Sequence, residues 1–102
     1  VRTVPTAFGI VAPDGDAHQW HRTQIQRLAR HLGYAVVWPP DDSVVPLADQ
    51  ARKADVDIAI VASPNHLSPL ELNSLMAVVD VESVVPRLTF SRWADTQAGW
   101  LG

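Results

Sequence analysis

The residues able to do chemistry in this chain gather in two short stretches. The first, APDGDAHQWH over 12–21, holds Asp14, Asp16, His18 and His21. The second, SPNHLS over 63–68, holds Ser63, Asn65, His66 and Ser68. Histidines three residues apart, such as His18 and His21, share one side of a helix start. With Asp14 or Asp16 they make up donor types that a divalent ion accepts. That spacing is common by chance, and no closing ligand stands beside it. Asp16 is better accounted for as a helix cap, and His21, four residues before Ile25, as a hydrogen-bonded histidine at a core edge. No metal site and no cofactor is assigned.

Other chemistries fit less well. GIVAPDGD lacks the G-x-G-x-x-G spacing of a dinucleotide turn, and no Gly-Lys-Ser/Thr comes after it. Asp14 and Asp16 at a helix start would repel a phosphate from the positive helix end. Ser63 has His66 three residues on, but a nucleophilic serine needs an activating base, an oriented partner and an oxyanion hole. No G-x-S-x-G elbow is present. Asp14, Asp16, Asp41 and Asp42 could form a carboxylate site across neighbouring loops, but they read better as solvated turns.

The elements that must position these loops are legible. AFGIVA, 7–12, reads as a buried strand. Asp16 and Gln19 form a capping box for a helix over 17–32, where Ile25, Leu28, Ala29 and Leu32 keep helical spacing. Gly33 is its C-cap. YAVVW, 34–38, is a second strand, and PPDDS, 39–43, a loop. A short helix covers 46–54 with Pro46 at its first position. DIAIVA, 57–62, is a strand covered on both faces. Ser68, Pro69 and Glu71 start a further helix, with Leu67 and Leu72 as a hydrophobic staple and Leu72, Leu75, Met76 and Val79 as its buried stripe. RLTF, 87–90, is a fourth strand. The expectation is an α/β domain: a small, open, mostly parallel sheet of about four strands with helices on both faces. It spans 7–90, after an N-terminal extension, 1–6, and before a C-terminal tail, 91–102. Chemistry in such sheets gathers at the carboxyl ends of strands, and loops one and three become neighbours if strands one and three pair.

Composition narrows the field. The chain has 102 residues, 47% of them apolar, enough for one domain with a core. It has no cysteine, so thiolate chemistry and disulfides are excluded and a cytoplasmic setting is expected. No apolar run approaches the ~20 residues a membrane span needs. The formal charge of −3 argues against nucleic-acid binding by this segment alone. Arg22, Arg27 and Arg30 read as a solvated helix face. The chain opens on Val1, as a processed chain or a piece of a longer one would.

Element order and spacing over about residues 7–90 resemble the catalytic domain of the serine recombinases, the resolvase/invertase family. That domain opens with a strand of the type G-Y-x-R-x-S, continues with a glutamine-bearing helix ended by glycine, and later runs a V-x-x-L strand into D-R-L-x-R. Here GIVAPD, 9–14, occupies the first motif. Gln24, Leu28 and Gly33 fit the helix, and IVASPNHLSP, 60–69, occupies the second motif. The resemblance implies a resolvase-like fold in which a serine attacks a DNA phosphodiester and arginines stabilise the growing charge. The serine position falls on Asp14, or on Pro13 if the register slips by one. The first arginine falls on Ala12 or Val11. Asn65, His66 and Pro69 stand for the acid and the two remaining arginines, and Leu67 alone matches. With those positions changed, the resemblance implies a domain without catalytic residues, a pseudo-enzyme that binds a protein partner or a second copy of itself. Its binding loops are Asp14, Asp16, His18, His21, Asn65 and His66, and Trp93 and Trp100 are interface candidates. Two alternatives are a small-ligand or metal-binding enzyme built from the same loops, and a DNA-associated segment of a larger recombinase-derived protein.

Overall fold

A computed structural model describes residues 4–11, 18–40 and 44–92, with only the backbone of His18. The elements are β1 (Thr6–Ile10), α1 (His18–Leu32), β2 (Ala35–Val37), α2 (Leu47–Ala54) and β3 (Ile58–Val61). After them come a single 3-10 turn (Pro64–His66), α3 (Pro69–Met76), β4 (Asp80–Ser83) and β5 (Leu88–Phe90). The sheet order is β2-β1-β3-β4-β5, parallel except for the antiparallel β4–β5 pair. The fold is thus α/β with a mostly parallel open sheet.

Alternation of side chains decides what covers each face. Ala7, Ile58 and Ile60 point to one face, where they are buried with Ile25 and Ala29 of α1. Phe8, Ile10, Ala59, Val61 and Val81 point to the other, against Ala51 of α2 and Leu75 of α3. All four residues of β3 are buried, which is why its sequence is a continuous apolar run.

Local signals fix several boundaries. Gly33 adopts φ 88°, a left-handed conformation that suits glycine. Its N–H reaches the Arg30 carbonyl at 3.1 Å, and that of Tyr34 reaches the Ala29 carbonyl at 2.8 Å, closing α1. At α3 the capping box is complete. The Glu71 N–H donates to Ser68 Oγ at 3.1 Å, and the Ser68 N–H donates to Glu71 Oε1 at 2.9 Å.

Three expectations change. The sheet has five strands rather than four, because 80–83 forms β4, and RLTF supplies an antiparallel fifth strand. β4 alternates Asp80 and Glu82 with buried Val81 and Ser83, so half of it reads as solvent-facing and the sequence pattern is weak. Glu82 is held by Arg87 at 2.5 Å and by the Thr89 hydroxyl at 2.9 Å, contacts that exist only once β5 folds back. The stripe of α3 also ends early. Leu75 is buried within the helix, but Val79 is buried beyond its end, in the approach to β4. Finally, Pro46 is the N-cap of α2, not its first helical residue, with ψ 144° and no capping side chain.

Replacing Ser68 with Ala is expected to cost about 1 kcal/mol of unfolding free energy by removing one half of the capping box. Urea denaturation measures it; a change near zero would mean that α3 is held by its buried face alone.

Candidate functional site

β1 pairs with β2 on one side and β3 on the other, both parallel. The chain therefore leaves the β1 end in one direction and returns from β3 on the other, the arrangement that opens a crevice at the carboxyl ends of the strands. A cleft of about 360 Å³ lies there. Its floor is the end of β1, Gly9 to Val11, and its walls come from 38–40, 44–47 and the side chains of Arg22, Gln50, His66 and Glu71.

Trp38 builds the first wall. Its ring lies against Gly9, where a Cβ would stand 2.7 Å from Cε3 and 2.9 Å from Cη2, and closer still to Cζ3. Only glycine leaves room for the ring at that point. Above the ring sits the Arg22 guanidinium, 4.2 Å from its centroid. Its spacing in the sequence puts Arg22 on a solvated helix face; in the fold it is half-buried and lines the cleft. Among the described residues no carboxylate pairs with it. The opposite wall is braced by Gln50, whose Nε2 donates to the Val45 carbonyl at 2.6 Å. Its Oε1 is buried without a hydrogen-bond partner among the described residues.

The turn after β3 closes the third side. Ser63 Oγ accepts from the Asn65 N–H at 3.4 Å, and the His66 N–H reaches the Ser63 carbonyl at 2.9 Å. Leu67 is buried in the core, which anchors the turn. His66 meets His21 edge to face, with ring centroids 4.7 Å apart, and His21 in turn meets Trp20 at 5.3 Å. Burial, and then the neighbouring His21, push the His66 pKa below its ordinary value.

The loop after β1 lies outside the described residues; the start of α1 that follows it and the turn after β3 do meet, as the pairing of β1 with β3 allows. Of the binding-loop candidates, His21 and His66 are brought together, and Asn65 is exposed on the turn between β3 and α3. Asp14 and Asp16 lie outside the described residues, as do Trp93 and Trp100, and of His18 only its place at the start of α1 is described. Among the described residues no group of three or more His, Asp or Glu could hold a metal ion. None of their helices is long and apolar enough to cross a membrane. Arg22, Trp38 and Gln50 are the cleft residues that sequence reasoning passes over. The one signal for Trp38 is its place directly before Pro39 and Pro40, at a strand's carboxyl end. Comparison of the chain with family models, curated proteins and solved structures gives no match.

This geometry has two measurable consequences. Gly9→Val is expected to destabilise the fold by about 1–3 kcal/mol, because the added atoms overlap the Trp38 ring. The double variant with Trp38→Leu should recover much of that loss, and equal losses in both backgrounds would separate the two residues. The second consequence concerns pH. The unfolded chain protonates its histidines near 6.5, but folded His66 does so only at lower pH. Between those values the unfolded state binds more protons, so this contribution to stability is present above 6.5 and declines as pH falls below it. Urea midpoints across that window should flatten in His66→Asn; an unchanged slope would assign the effect to other groups.

Proposed function

We propose that this chain is a recombinase-like α/β domain that does no strand chemistry and works by binding a protein at the carboxyl edge of its sheet. The observation that carries the reading is the use made of the turn after β3. Where the resemblance calls for an acid and two arginines, this chain has Asn65, His66 and Pro69. Each serves the turn or the helix start: Asn65 N–H bonds Ser63, His66 packs on His21, and Pro69 is the first residue of α3. Arg22, the arginine lining the cleft, is seated on Trp38. A phosphodiester in transfer needs several cationic donors converging on one group, and one guanidinium in a cleft also lined by Glu71 is a poor substitute.

Exposed apolar side chains on the same edge support a binding role. Val44 is 97% exposed and Leu70 75%, and Trp20 and Val45 are each about half exposed. Val44 and Val45 precede α2, Leu70 opens α3, and Trp20 lies in the first turn of α1, so all lie near the carboxyl ends of the strands. Apolar groups gathered at one end of a small domain suit an interface. The volume of the cleft, about 360 Å³, favours a second reading, a small-ligand site in the same place.

Supercoiled DNA incubated with the chain is expected to show no nicks and no covalent protein–DNA adduct. A covalent adduct would overturn the reading. Sedimentation equilibrium of the chain beside Leu70→Glu then separates a second copy of itself from a different protein as the occupant, because only self-association would fall with the variant.

A further inference from the structure

We infer that the cleft at the carboxyl ends of β1 and β2 takes the carboxyl terminus of a peptide whose last residues are apolar. This rests on the reading that the carboxyl edge binds protein, and it names the part of the partner that enters.

Charge in the cleft selects the end of the peptide. Arg22 has no carboxylate partner among the described residues, and its guanidinium is held against the Trp38 ring at 4.2 Å. Stacking uses the face of the guanidinium and leaves its N–H edge available. That edge matches the two oxygens of a carboxylate. A side chain already held in place also loses less freedom on binding than a free one. Glu71 lines the same cleft, with one oxygen occupied by the Ser68 N–H. Among the described residues, Arg22 and Glu71 are the two oppositely charged side chains that line the cleft. A chain of phosphates gains little there, whereas a single carboxylate can pair with Arg22 while an amide N–H beside it faces Glu71.

The walls select apolar side chains. Pro39, Pro40, Val44, Val45, Pro46 and Leu47 offer apolar surface. The three prolines carry no N–H to leave unsatisfied against an apolar side chain. Val44, at 97% exposure, is costly to leave in water and gains most from a covering residue.

Size limits how much of the peptide enters. About 360 Å³ is at the low end of ligand pockets, which span roughly 300–1,000 Å³. It suits a chain end more than a peptide running through.

The test is NMR titration of the intact chain, tracking the amides of Gly9 and Val11 and the Arg22 side-chain N–H. The probe is acetyl-Ala-Leu-Val with a free carboxylate, beside the same peptide as its carboxamide, N-acetylvaline, and a short DNA duplex. Saturable shifts at those positions are expected with the free acid. The carboxamide should bind at least about tenfold more weakly. Arg22→Gln should lose a similar factor, Arg22→Lys part of it, and Arg27→Gln, exposed on the same helix, none. Circular dichroism and thermal melting confirm that each variant is folded. Equal binding of acid and carboxamide, full affinity in folded Arg22→Gln, or shifts at Arg22 with DNA instead would overturn the inference. N-acetylvaline binding as tightly as the tripeptide would also overturn it, moving the occupant to a small acid. Shifts confined to Trp20 and Leu70 would sink the inference but leave the binding role intact, whereas a covalent DNA adduct removes that role itself.

Discussion

The parallel pairing of β1 with β3 is the constraint on which the rest of the molecule depends. Ala7 lies beside Ile58 and Ile10 beside Val61, and both strands are almost wholly buried. A parallel pair cannot be joined by a tight turn, so each connection must cross over a face of the sheet. α1 covers one face, and α2 with α3 covers the other. Every crossover then starts at the same edge. That is why the start of α1 and the turn after β3, more than forty residues apart in the chain, present His21 and His66 to each other.

At that edge, packing and potential chemistry compete for the same residues. Gly9 gives up its side chain so that Trp38 can lie across β1, and Trp38 in turn fixes Arg22. Ser63, Leu67 and Ser68 are used by the turn and by the start of α3. A cleft remains; among the described residues its polar side chains are Arg22, Gln50, His66 and Glu71, and its walls are rich in proline and valine. Such a surface recognises shape and one charge better than it activates a nucleophile.

Some of this was readable residue by residue. Ser68, Pro69 and Glu71 act within four positions of one another, so their spacing alone specifies the start of α3. Gly33 comes directly after a helix with apolar residues at helical spacing, and only a left-handed residue ends it there. β3 announces itself because burial on both faces leaves no polar position in it. β4 gave no such signal. Its Asp80 and Glu82 look solvent-bound until Arg92 donates a backbone N–H to Asp80 and Arg87 and Thr89 reach Glu82. The cleft was half legible: the edge of the sheet and the meeting of the start of α1 with the turn after β3 came from topology, whereas Arg22 looked like any helix-surface arginine.

The sequence by itself determined the class of fold, the central buried strands, the Gly33 end of α1 and the capped start of α3. These depend on periodicity and on neighbours within a few positions, which a linear reading contains. Only the tertiary structure decided that 80–83 pairs as a strand, that Trp38 lies on Gly9 and that Arg22 faces a cleft. Those facts come from contacts between residues far apart in the chain, and the energy of such contacts exists only after the sheet has closed.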